Sequence, residues 1–233
     1  MPPDDRRGRQ LHGRRRGHRL SARRQHLVDE LLPRVAVAPE PAILTSEVLF
    51  GRPCSVWLEI GFGAGEHLAW QAERHPDIGF IGAEPYINGV ATLLASVDDG
   101  DLDNIRVVPD DIRPVLERLT PGMLDRAFVL FPDPWPKTRH LKRRLVDPRL
   151  VARLADLLAD GAELRLATDD MSYARQILQV TTANPAFRWK ARRPGDWRHR
   201  SGDWPETRYE AKAVKAGRSP VYLIFERCRR CRA

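Results

Sequence analysis

Five short apolar runs, each with an acidic residue at or just beyond its end, constrain the fold of this chain more than any other feature. The runs are 56–60, 78–83, 105–108, 127–131 and 163–167, and the acids are Glu59, Glu84, Asp110 with Asp111, Asp133 and Asp169. A short apolar run bounded by turn residues reads as a buried parallel strand. Segments with helical spacing separate the runs. One reaches about His75, and a second near Asn88 to Val97 sets Val90, Leu93, Leu94 and Val97 on one face. A third starts at Asp147-Pro148, an N-cap followed by proline in the first turn, and Gly161 ends it. A fourth runs to about Thr182, and the last runs, 187–190 and 220–226, read as an antiparallel pair. This alternation predicts an α/β fold: a Rossmann-like, doubly wound, mostly parallel seven-stranded sheet with an antiparallel last strand pair.

At 233 residues the chain suits one domain with appendages. The expected divisions are a basic arm over 1–24, a main domain over 25–227 and a basic tail over 228–233. The net charge is +8, and the arm, with nine arginines against Asp4 and Asp5, holds +7 of it. Such arms bind nucleic acid or stay solvated, and can order on a partner. Residues 25–33 read as a short helix ended by Pro33. No apolar run approaches membrane-spanning length, and the N-terminus lacks the apolar segment of a secretory signal. Cys228 and Cys231 have a CxxC spacing, but a structural zinc normally needs four ligands. No metal is therefore expected, and three cysteines suit a reducing, cytoplasmic location.

The strand ends decide the ligand class. Gly61, Gly63 and Gly65 form a glycine-rich strand–helix turn, a weak signal by itself. A dinucleotide fingerprint would need glycine where Glu66 stands, and no Lys-Ser/Thr follows as in a P-loop. Acids at successive strand ends repel phosphate, so the expected ligand is a cationic nucleoside without phosphates. S-adenosylmethionine, with its sulfonium and ammonium, fits. Glu84 stands where an acid meets a ribose diol in dinucleotide folds, and Asp110 or Asp111 can accept from the adenine amine.

A second constellation follows the fourth run: Phe131-Pro-Asp-Pro-Trp135 and then five cations, Lys137, Arg139, Lys142, Arg143 and Arg144, without one acid between them. It offers a carboxylate, an indole and a grip for polyanions beyond the carboxyl end of a strand, where open α/β sheets bind ligands. Trp135 is either a stacking face or an anchor for the loop.

With these residues in hand the chain resembles, from about Gln25 to Arg227, the bacterial tRNA (guanine-N7-)-methyltransferases. The motifs are Leu-Glu-Ile-Gly-Phe-Gly at 58–63, Phe-Pro-Asp-Pro-Trp at 131–135 with Arg-His-Leu-Lys-Arg-Arg at 139–144, Ala-Thr-Asp at 167–169 and Thr-Arg-Tyr-Glu at 207–210. The resemblance implies that Glu59, Glu84, Asp111 and Asp133 line the S-adenosylmethionine site. It implies that Lys137, Asp169, Thr207, Arg208, Tyr209 and Glu210 contact the guanosine. Arg139, His140, Leu141, Lys142, Arg143 and Arg144 would meet RNA, and Asp133 would be catalytic. The expected substrate is guanine 46 of the tRNA variable loop, the enzyme being a monomer or homodimer with no membrane partner. The alternatives are another base methyltransferase and a non-catalytic RNA-binding protein on the same fold.

Overall fold

The computed structural model describes residues 13–39 and 42–230. The strands are β1 (Val56–Ile60), β2 (Gly79–Ala83), β3 (Ile105–Val108), β4 (Leu124–Leu130), β5 (Leu158–Thr168), β6 (Phe187–Trp189) and β7 (Val221–Arg227). The helices are α1 (Ala22–Glu30), α2 (Leu32–Val35), α3 (Ser46–Phe50), α4 (Glu66–Arg74), α5 (Ile87–Gly100), α6 (Arg113–Leu116), α7 (Pro148–Leu157), α8 (Met171–Thr182), α9 (Gly195–Arg198) and α10 (Arg208–Lys215). The strands form one sheet in the order β3-β2-β1-β4-β5-β7-β6. Pairing is parallel from β3 through β5, and β7 runs antiparallel to both β5 and β6. The expected seven-stranded doubly wound sheet is what the chain forms.

Because successive strand side chains point to opposite faces, the sheet feeds two cores. On one face Leu58, Ile60, Ala127 and Val129 join Leu150, Val151 and Tyr173 from α7 and α8. On the other Trp57, Phe80 and Phe128 join Leu68 of α4 and Val90, Leu93 and Leu94 of α5. The chain moves outward from β1 to β3, then crosses back to β4 beside β1. That reversal opens a crevice at the carboxyl ends of β1 and β4, the general ligand position in such sheets.

Three boundaries differ from the sequence reading. Pro33 does not end a helix; it sits in the first turn of α2, where its missing N–H costs nothing. The preceding helix starts at Ala22, capped by Ser21, and therefore begins inside the stretch expected to be an arm. Gly161 does not end α7 either. The helix stops at Leu157, and Leu158 pairs with Leu124 before a register shift, with Gly161 at φ 85° inside the irregular start of β5. Burial of Leu158 fixes that early entry into the sheet.

Of the expected arm, residues 1–12 lie outside the described residues, as does Cys231. Residues 13–18 run along the start of α5. Ile87 N–H donates to the Arg15 carbonyl at 3.0 Å, Gly17 N–H to Asn88 Oδ1 at 2.8 Å, and Asn88 Nδ2 to the His18 carbonyl at 2.7 Å.

Candidate active site

The glycine turn after β1 is built for close approach. Gly61, Gly63 and Gly65 have φ of 77°, 59° and 80°, the left-handed region that glycine adopts without strain. Gly63 N–H donates to Glu84 Oε2 at 2.8 Å and Tyr86 N–H to Oε1 at 2.9 Å, so one carboxylate ties the end of β2 to the turn. A side chain at Gly63 would meet the Tyr209 ring at 2.7 Å; Tyr209 therefore lies directly over the turn. From the other side Gly89 of α5 presents its bare Cα, and a Cβ there would stand 2.1 Å from the Gly63 carbonyl oxygen.

The loop after β4 is held under strain. Phe131 and Trp135 have φ of 50° and 43°, uncommon for aromatic residues, and each costs on the order of 1–3 kcal/mol. Arg144 holds the loop in place. Its guanidinium donates to the Pro134 carbonyl at 2.7 Å, to Gln176 Oε1 at 2.8 Å and to Ser172 Oγ at 3.1 Å, and it covers the Tyr173 ring. Arg143 stacks over Trp135 with 5.0 Å to the ring centroid, and His140 meets that ring edge-on at 5.7 Å.

These two loops border one cavity of about 780 Å³, lined among others by Gly61, Gly63, Glu84, Asp111, Asp133 and Tyr209. Burial pushes the Glu84 carboxyl above the usual carboxylate range; two backbone N–H bonds oppose the shift, and the charges of Asp133 and Glu59 add to it. Asp133 opens onto the cavity, yet desolvation by the surrounding walls pushes its carboxyl up as well. At the far end Asp110 pairs with Arg15 at 2.5 Å and Asp111 with Arg113 at 2.6 Å. Among the described residues, Glu84 and Asp133 thus have no ion-pair partner, whereas Asp110 and Asp111 at the far end do.

Comparison with known proteins gives this geometry a family. The methyltransferase family model Methyltransf_4 matches residues 54–223. A tRNA (guanine-N(7)-)-methyltransferase of Rhodospirillum rubrum is 51% identical over 97% of this chain and 91% of its own length. One from Ruegeria pomeroyi is 46% identical over 96% of each. The chain belongs to the bacterial tRNA (guanine-N7)-methyltransferase family. Among solved structures, the 16S rRNA methyltransferase KamB is similar with a TM-score of 0.56 at 16% identity, over 78% of this chain and 92% of that one. That likeness concerns the fold.

The family motifs are distributed unevenly around the cavity. Gly61, Gly63, Glu84, Asp111, Asp133 and Tyr209 border it, as do Lys142, Arg143 and part of Arg144. Gly65 stands behind, as the residue preceding α4, with Leu93 where its Cβ would lie. Glu59 is not among the residues that line the large cavity. It sits one residue before the end of β1 on the face shared with Trp57, so its carboxylate points beneath α4 to His67, and it borders only a small adjoining cavity. Arg144 is likewise no free phosphate ligand: it is 3% exposed and bonded to the protein. Lys137, Arg139 and Lys142 are exposed around the 3₁₀ turn Thr138–Arg143, with Leu141 half-buried. Asp169 accepts from Arg218 at 2.6 Å.

Within Thr207–Glu210 the labour is divided. Thr207 caps α10 by accepting from Glu210 N–H, and Arg208 bonds to Glu66 at 2.6 Å. Glu210 is buried, accepting from Tyr222 Oη at 2.6 Å and Arg200 at 3.1 Å, and Tyr209 alone of the four borders the large cavity. Sequence reasoning missed His67, Gln71 and Gly89. The i,i+4 spacing of His67 and Gln71 is a signal, but one shared by many solvent-facing pairs.

Among the described residues no helix is long and apolar enough to cross a membrane, and no cluster of His, Cys, Asp or Glu could hold a metal ion.

Proposed function

We propose that the protein methylates N7 of a guanine in tRNA, guanine 46 of the variable loop, using S-adenosylmethionine. One observation carries this reading: Glu84 and Asp133 line one cavity at the sheet's reversal, desolvation raises both carboxyls, and no cation among the described residues pairs with either. A cationic ligand offsets that cost, so the residues present suit a sulfonium donor. Its site comprises Gly61, Gly63, Glu84, Asp111 and Asp133, with Glu59 behind the turn. Glu84 still has lone pairs for a ribose diol after accepting two backbone N–H groups.

Bound there, S-adenosylmethionine supplies a methyl group on a sulfonium. Guanine N7 offers a lone pair at neutral pH, so no proton has to be removed before attack. The chain's own task is alignment and charge, and alignment of this type supplies several kcal/mol or more. Asp133 accepts a hydrogen bond from the guanine N1–H or amino group and offsets the positive charge that grows on the purine. Tyr209 walls the acceptor side of the glycine turn. Because A-form helices hide N7 in a deep groove, the target base is extruded or lies in a loop. Lys137, Arg139 and Lys142 grip the adjoining phosphates.

Incubation with S-adenosylmethionine and bulk tRNA, followed by nucleoside analysis, yields 7-methylguanosine on this reading. Asp133→Ala lowers the rate by about 100-fold or more, the scale of removing a preorganised transition-state interaction, while tRNA binding survives. Near-wild-type turnover of that variant, or a different methylated nucleoside, would sink the assignment.

A further inference from the structure

Behind the cavity runs a chain of buried polar contacts that the reaction above does not use. Glu59 Oε2 lies 2.7 Å from His67 Nδ1, and the two residues are 3% and 2% exposed. His67 Nε2 lies 3.2 Å from Gln71 Nε2, which is also 2.9 Å from the Asp203 carbonyl oxygen. The imidazole is walled by Phe128 at 4.6 Å and Trp204 at 6.0 Å between ring centroids.

Hydrogen-bond chemistry fixes the proton in this chain. A carbonyl oxygen only accepts, so the Gln71 atom facing Asp203 must be the amide nitrogen; flipping the amide would set two acceptors against each other. The second hydrogen of that nitrogen meets His67 Nε2, which must therefore accept. The tautomer these contacts require carries its proton on Nδ1, and Nδ1–H donates to Glu59.

We propose that His67 is a positioning residue for the methyl-donor site. Its Nδ1–H holds Glu59 Oε2, and so fixes the carboxylate at the edge of a small cavity that shares Gly61, Leu130, Phe131 and Tyr209 with the large one. Its Nε2 carries the same restraint through Gln71 to Asp203, in the segment that leads to Thr207 and Tyr209. Without this donor the buried carboxylate loses its hydrogen-bond partner, and an unpaired polar group in an apolar site is costly enough to make it turn away. The donor side and the acceptor side are thereby tied to one imidazole. The inference rests on the reading of the cavity as an S-adenosylmethionine site.

Two variants separate the ring's two ends. His67→Asn overlays an amide N–H on the Nδ1 position and keeps the bond to Glu59. His67→Gln reaches the Nε2 position, keeps an acceptor for Gln71 and loses Glu59. Calorimetric titration with S-adenosylmethionine is expected to give His67→Asn a Kd within about twofold of wild type and His67→Gln a Kd about tenfold weaker, the scale of one hydrogen bond to a charged group. Equal losses in both variants, or none in either, overturn the positioning role, because simple packing does not distinguish the two ends. If wild type itself fails to bind, the reading of the site falls and not merely this inference. Should either variant misfold, nitrogen-detected NMR of the wild type with labelled histidine still tests the chain. An Nδ1–H tautomer at His67 is expected, and an Nε2–H tautomer or an imidazolium overturns it.

Discussion

Asp133 and Glu84 both have carboxyl groups pushed above the ordinary range by burial. For an acid with a raised folded-state pKa, ionisation opposes folding. Their contribution to stability is most favourable below the unfolded pKa and declines as pH rises through the folded value. A cationic donor reverses the balance locally, because it favours the ionised form. Affinity for S-adenosylmethionine should therefore fall as pH drops through these raised values, at a higher pH than unperturbed carboxylates would give. Titrations at a series of pH values check this; an affinity flat down to the normal carboxylate range contradicts it. Residues of this kind are legible in the sequence because acids follow several successive apolar runs, more than helix capping alone explains. The direction of Glu59 is not, because strand alternation, rather than nearness to the glycines, decides which way it points. Nor is the role of Arg144, because five neighbouring cations look alike in sequence, while only one of them finds Pro134, Ser172 and Gln176 around it.

Among the elements, the turn after β1 and the helix α5 depend on each other through Gly89. A Cβ at that position would meet the Gly63 carbonyl, a backbone obstacle that no rotamer change relieves. Gly89→Ala should lower the thermal midpoint, overpacking being worth about 1–3 kcal/mol, and should weaken donor binding by displacing the turn. A variant with unchanged affinity would mean that the turn tolerates displacement. Strands and most helices are legible because period and capping carry them: Asp147 caps α7 as expected, accepting from Leu150 N–H at 2.8 Å. The ends of α7 and of the helix before Pro33 are not. Proline suits a first helical turn as well as a stop, and glycine suits a strand irregularity as well as a helix end. Burial of Leu158 decides between them only once the partner strand is known.

At the scale of the molecule, the cavity mixes acids with bases, while Lys137, Arg139 and Lys142 stand exposed around the 3₁₀ turn beside it. Replacing Lys137, Arg139 and Lys142 together by alanine should reduce the salt dependence of tRNA binding, by about 0.7–0.9 in log–log slope for every phosphate these side chains neutralise. An unchanged slope would place the RNA elsewhere. The sheet order has a further consequence, for assembly during synthesis. β7 lies between β5 and β6, so β6 lacks the strand it pairs with until Val221–Arg227 exists. The Tyr222 hydroxyl that fastens Glu210 arrives with the same strand. On a nascent chain the parallel half, with its glycine turn and Asp133 loop, can form while α10 still lacks that fastening. The wall that Tyr209 gives the cavity is thus secured late, after the strand ends that bear Glu84 and Asp133.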